Sequence, residues 1–230
     1  GVLPEAMALA DDAPIVVLGF EIREDKYERI ADTVYSEGQL LGQGGATPSV
    51  SGSIDVKELY FEASIPVMQD EDRGDLTVDL GYRYSDYETN AREDLFTADT
   101  YKAGIEYQPI EQLRIRAGFN HAVRAPNIFN MFRPNTFGLW GGEDKCAGAE
   151  PAYTQAQCAN TGVTAAQYGS VVASPADQYN LKGGGNPNLG AEAADTITFG
   201  VVVNPIEDLS FSIDYWDIEI EETIRAPGAQ

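Results

Sequence analysis

Side chains able to do covalent or coordination chemistry are few in this sequence. Cys146 and Cys158 are the two thiols of the 230-residue chain, with eleven residues between them, in a stretch rich in Gly, Ala and Gln. Two thiols in a polar loop of an exported protein close into a disulfide; in a reducing compartment the same pair stays free. Zinc lacks ligands, because His121 is the only histidine and lies on a different segment. The run QDEDRGD (69–75) gathers carboxylates that suit calcium, but it lacks the spacing of a calcium loop and reads first as an exposed acidic turn. Asp214 with Asp217, or Glu221 with Glu222, could act as acid and base in a glycosidase cleft, yet both pairs crowd one strand end with no spacing that argues for it. With one histidine, no G-x-S-x-G and no phosphate-cradling glycine loop, there is little from which to build an active site. GQGG (42–45) and GGG (183–185) read as flexible loops. The expectation is a protein that is not an enzyme and takes no cofactor.

The elements that position these residues are strands. Seven runs show period-two alternation: 14–24, 56–66, 75–87, 99–108, 112–122, 195–204 and 208–222. Successive strand residues point to opposite faces. Leu76, Val78, Leu80, Tyr82 and Tyr84 therefore share one face of the third run, against Asp79 and Arg83 on the other. Ala103 and Ile105 oppose Lys102 and Glu106 in the fourth, and Ile115, Ala117 and Phe119 oppose Arg114 and Arg116 in the fifth. The sixth sets Phe199 and Val201 against Thr198 and Gly200. The seventh begins Leu209, Phe211, Ile213, Tyr215 and then changes parity to Trp216, Ile218, Ile220, which predicts a bulge at Tyr215–Trp216. Short helical pieces are expected near 125–132 or 150–168.

Acidic residues outnumber basic ones 37 to 15, a formal charge of −22, which excludes a nucleic-acid partner. No run approaches the ~18 apolar residues of a membrane-crossing helix, and the opening GVLPEAMALADDAP lacks the basic start and long apolar core of a signal peptide, so the expectation is either a removed export signal or a segment of something longer. Connections alternate in length. Eight residues join the second and third runs, and PIEQ and PIED join two later pairs; the others take about 30 (25–55), eleven (88–98) and about 70 (123–194) residues. In an all-β, antiparallel up-and-down meander this puts short turns at one end and long loops at the other, as in an outer-membrane β-barrel. Tyr82, Tyr84, Tyr87, Tyr101 and Tyr107 suit interfacial girdles, and Lys102, Glu106, Arg114 and Arg116 suit a wet inner face where charges pair across strands. The competing reading is a soluble β-sandwich or jelly-roll module that binds carbohydrate.

Two motifs narrow this. FNHAVRAPNIFNMFRP (119–134) is followed by GGGNPNLGAEAADTITFGVVV (183–203), with DVKELYFEASIPV, LGYRYSDY, the KCAG…QCANTG loop and SIDYWDIEI in order around them. The set resembles the barrel domain of TonB-dependent outer-membrane receptors over nearly the whole chain, most weakly before residue 50. The resemblance implies a Gram-negative outer membrane and a plugged barrel of ~22 strands. It implies uptake of a scarce nutrient (ferric siderophore, cobalamin or oligosaccharide), energised by the TonB system through the plug. Partners would be that system, outer-membrane lipid and an extracellular small molecule. No plug, TonB box or terminal aromatic strand is recognisable, and Gly190 replaces the family's usual Pro after NPNL. Residues 1–230 therefore read as an internal slice of a barrel domain, with its long extracellular loop at about 123–194, not transport-competent alone. With two open edges and an apolar face, such a slice is expected to self-associate, curl or flatten.

The resemblance also marks residues. Arg124, Ala125, Pro126 and Asn127, and later Asn186, Pro187, Leu189 and Glu192, stand in the family motifs. They are either contacts to ligand or plug, or structural: Pro126 ending the ladder, Arg124 pairing inward, and the later group forming a turn. External loops carry substrate choice on such scaffolds, so Arg133, Phe137, Trp140 and Tyr153 are candidate ligand contacts, aromatics suiting sugars and Arg an anionic ferric siderophore. Loop self-packing is the alternative for each. Cys146 and Cys158 would then close a ring within that loop.

Overall fold

The computed structural model describes residues 1–4, 8–42, 44–90 and 92–226. Gln43 of GQGG, residues 5–7 and residues 227–230 lie outside the described residues. Alternation over long stretches favours strands, and they form at β1 (Ile15–Arg29), β2 (Val50–Asp70), β3 (Gly74–Thr89), β4 (Arg92–Ile110) and β5 (Leu113–Arg124). A two-stranded pair, β6 (Thr136–Gly141) and β7 (Gln178–Gly183), precedes β8 (Glu192–Ile206) and β9 (Leu209–Glu221). Short helices are α1 (Thr33–Ser36), α2 (Ile128–Phe132) and α3 (Gln155–Ala159). Among the described residues no helix is long and apolar enough to cross a membrane.

The chain forms two compact units. The first (1–27, 51–131, 186–224) holds most of one seven-stranded sheet in the order β1-β2-β3-β4-β5-β8-β9. Pairing is antiparallel at every step from β2 to β9. The Asp12 N–H donates to the Gln69 side chain, and Gly19 abuts the Tyr60 ring, so β1 also runs antiparallel to β2. This is a single meander left open at β1 and β9, not two stacked sheets, which corrects the sandwich alternative. The second unit (28–50, 132–185, 225–230) holds the β6–β7 hairpin, α1 and α3. The hairpin was not anticipated: its strands are six residues each and glycine-interrupted, too short for alternation to register.

Tight turns between β2 and β3, β4 and β5, and β8 and β9 share one end of the sheet, here the turn end. Each has a proline beside a break in register: between Pro66 and Met68, between Tyr107 and Ile110 around Pro109, and between Val203 and Ile206 around Pro205. Proline has no N–H to give the ladder, so it sits where a bulge leaves a residue unpaired. A fourth break, without proline, lies between Tyr87 and Thr89 where β3 pairs with β4. None falls at Tyr215–Trp216, where the register runs unbroken through Phe199–Tyr215 and Thr198–Trp216, contrary to expectation.

The eleven-residue connection expected at 88–98 is also absent. β3 and β4 continue as a ladder to the pair Thr89–Arg92, and Tyr87 stacks on Phe96 at 4.7 Å. Long connections at the other end, the loop end, are therefore 30–49 and 125–191. Tyr87 points to the charged face and takes no part in an apolar-face girdle.

Candidate functional site

The register extends the two faces across the sheet. Val78, Ile105, Ala117, Phe199 and Tyr215 are successive cross-strand partners on the apolar face, joined by Leu59, Phe61 and Ile65 of β2 and by Phe211 and Ile213 of β9. Phe199, Phe211 and Ile213 are solvent-exposed. The opposite face carries ion pairs across the strands: Arg114–Glu106 at 3.4 Å joins β5 to β4, while Lys102–Glu62 at 3.2 Å passes over Gly81 of β3 and Arg116–Asp214 at 2.7 Å over Gly200 of β8. Arg83 pairs with Glu58 at 3.0 Å and lies over the Tyr60 ring, while the Ser85 hydroxyl donates to the same buried carboxylate at 2.6 Å.

This sidedness inverts towards the loop end. The apolar face ends on a boundary diagonal to the register, at Leu59 and Tyr84, Tyr101, His121, Ile197 and Tyr215 from β2 to β9, with Tyr101 stacked on His121 at 4.9 Å and Asp195 on the His121 imidazole. Beyond it that face carries Asp55, Lys57, Asp86, Glu88, Asp217 and Glu219. The charged face turns apolar over the same stretch: Ile54 and Val56, both buried, with Tyr87, Trp216, Ile218 and Ile220. The parity change in β9 is therefore a change of surroundings along an unbroken strand.

On this inverted part of the charged face lies a concavity of about 720 Å³ in the first unit. Its wall is Tyr27, Ile54, Val56 and Tyr87, and it is closed by the segment Val123 to Phe129, in which Pro126 is fully buried. Burial, then the Glu58 carboxylate, push the Tyr87 phenol up, so it is neutral there. Arg23, Asp25 and Arg124 form the polar rim. Each cation is matched: Arg23 donates to Asp25 at 3.0 Å and to Glu21 at 2.9 Å, and Arg124 grips Glu192 through Nε at 2.8 Å and Nη2 at 2.9 Å.

The two motifs meet here. Arg124, the last residue of β5, is the register partner of Glu192, the first of β8. The Arg124 guanidinium, then the Ile224 N–H, hold the Glu192 carboxyl down to about 2, at a point beyond the Tyr101–His121 line. Asn127 and Asn130 each accept the other's backbone N–H, fixing the first turn of α2. The Asn186 N–H donates to the Asn130 carbonyl, and its side chain accepts from Asn188 in the turn through Pro187 that reaches Leu189. Ala125 lines the concavity.

Residues expected to touch ligand do not converge. Phe137 and Trp140 alternate onto opposite faces of the β6–β7 hairpin, Phe137 exposed and Trp140 against Tyr179. The Arg133 carbonyl accepts the Gly185 N–H. Tyr153 lies within the ring closed by the Cys146–Cys158 disulfide, half exposed. In QDEDRGD, Asp70 caps the β2–β3 turn by accepting from the Asp72 and Arg73 N–H groups, and no metal-ligating cluster exists among the described residues. The concavity lies where sequence reasoning did not look, although a signal was present in β2: Ile54 and Val56 are apolar at the parity of Glu58 and Glu62.

An antiparallel meander with alternating faces, open at both edges, has the architecture expected of part of an up-and-down β-barrel wall. Residues 16–228 match the family model for the TonB dependent receptor-like β-barrel, and the chain belongs to that family. No curated protein matches it. Among solved structures, a mutant of the ferric enterobactin receptor PfeA from Pseudomonas aeruginosa is similar at 11% identity and a TM-score of 0.37, over 90% of this chain and 32% of that one. This chain thus spans about a third of that receptor's length.

Proposed function

We propose that the chain is a section of the barrel wall of a TonB-dependent receptor in the outer membrane of a Gram-negative bacterium, and that the whole receptor takes up a scarce nutrient. The observation that carries this reading is the inversion of sidedness along the boundary through Tyr84, Tyr101, His121, Ile197 and Tyr215. A strand in lipid is apolar outside and polar towards a wet lumen; once it leaves the bilayer its outer face meets water and its inner face packs. From Leu76 to Tyr84 the apolar face runs about 27 Å at ~3.4 Å per residue, about 20 Å in height once tilted by ~40°, close to the ~25 Å apolar band of such barrels. The turn end is then periplasmic and the loop end extracellular, with 125–191 an external loop.

The sheet edges fit this role. β1 and β9 lie at opposite edges of seven alternating strands, so they run in the same direction. Copies of this chain set side by side in a membrane would join β9 to β1 in parallel. An antiparallel seam needs an odd number of further strands between them, as an even-stranded barrel supplies. Energy would come from the TonB system through a plug, and ligand from outside: ferric siderophore, cobalamin or oligosaccharide. No enzymatic step is proposed.

The experiment is fractionation and uptake. Cells producing the full-length receptor should carry it in the outer membrane, extractable only with detergent, and accumulate one labelled nutrient class only when TonB is intact. Recovery of the receptor in the soluble fraction, or uptake independent of TonB, would sink the reading.

A further inference from the structure

We infer that the concavity under the Val123 to Phe129 segment is a binding site for an uncharged ligand with an aromatic or apolar face. This deepens the receptor reading and rests on it for the side from which ligand arrives. The volume, about 720 Å³, lies in the range of small-molecule sites. Tyr27, Ile54, Val56, Tyr87, Pro126 and Phe129 give it an apolar, aromatic wall. Charge decides the ligand class. The rim cations are Arg23, shared between Asp25 and Glu21, and Arg124, held by both oxygens of Glu192. Below the wall, Glu58 is satisfied by Arg83 and Ser85. An anion entering this site would meet four carboxylates, Glu21, Asp25, Glu58 and Glu192, against three guanidinium groups, Arg23, Arg83 and Arg124, and so would find no net positive charge to attract it. A neutral ring needs no such attraction and gains the wall. The ligand class chosen by this wall is therefore neutral rather than an anionic chelate.

The test uses two probes of one shape, para-nitrobenzyl alcohol and para-nitrobenzoate, titrated by saturation-transfer NMR against the 230-residue chain in zwitterionic micelles. The alcohol should bind at least about tenfold more tightly than the carboxylate. Ala125→Trp, which puts an indole into the concavity from the segment beyond the strand end, should weaken the alcohol by about tenfold or more. Because micelles absorb the probe equally in both proteins, that difference reports the site. Asp25→Asn leaves Arg23 with Glu21 alone and should raise carboxylate affinity several-fold without changing the alcohol's, and this variant carries the test if the indole prevents folding. Equal binding of the two probes, tighter binding of the carboxylate, no binding of either, or indifference of both variants overturns the inference. Uptake assays play no part in these outcomes, so a failure of the receptor reading shows separately.

Discussion

Moving one charge by one residue tests the assignment of faces most directly. Arg116 lies on the charged face, paired with Asp214 at 2.7 Å, and Ala117 beside it lies on the apolar face between Ile105 and Phe199. Exchanging them, Arg116→Ala with Ala117→Arg, keeps composition, net charge and length while carrying the guanidinium through the sheet. Both partners of the lost pair are substantially exposed, at 52% and 38%, so its loss costs about 0–1 kcal/mol. An arginine facing lipid near the midplane costs about 2–4 kcal/mol. The exchange should therefore destabilise the protein by about 2–4 kcal/mol more than Arg116→Ala alone, a ratio of about 30 to 1,000 in the unfolding constant. Urea unfolding from phosphatidylcholine vesicles, followed by tryptophan fluorescence, reads this as a shift of midpoint at constant slope. If the exchange is no worse than the single substitution, the apolar face does not meet lipid. Cooperative unfolding of the unmodified chain from plain buffer, with the same penalty and no lipid, would equally refute the argument.

Other consequences are local. Replacing Cys146 and Cys158 together by alanine opens a ring with a sequence separation of 12; the loop-entropy relation gives about 3 kcal/mol, so hydrogen exchange at the Cys158, Thr161 and Val163 amides should quicken about 150-fold, and unchanged exchange would dismiss a structural role for the bond. The Glu192 carboxyl is held at about 2 against an ordinary 4.5, so the closure it makes with Arg124 and Ile224 is fully present above 4.5 and is lost as the pH falls through about 2. Protection of the Ile224 amide should follow that course and become flat in Glu192→Gln. Gly74 closes the β2–β3 turn at φ +82°, with the Gln108 carbonyl oxygen against the place where a Cβ would stand, so Gly74→Ala should cost about 1–3 kcal/mol. An unmoved urea midpoint would show that the turn relaxes freely.

Alternation made the strands legible because a strand with one apolar and one polar side shows a different chemistry on each, and every second residue records it. That was enough for the all-β meander, for the faces of β3, β4, β5 and β8, and for the turn end with its prolines. It stopped short where the surroundings change. Ile54, Val56, Tyr87, Trp216 and Ile218 keep the period and exchange the sides, so a reading that followed one apolar face ended β3 early, opened a loop at 88–98 and placed a bulge in β9. The candidate site escaped for a related reason. Arg124 and Glu192 stand 68 positions apart, and nothing local to either says that they share a register or that the segment between Val123 and Phe129 folds over the wall of β1, β2 and β3. Sequence by itself determined which residues are strands and which chemistry each face presents, because those follow from neighbours two positions away. Only the tertiary structure decided which distant residues meet, where the sidedness turns over and which charges are already matched, because those depend on the pairing of strands across long loops.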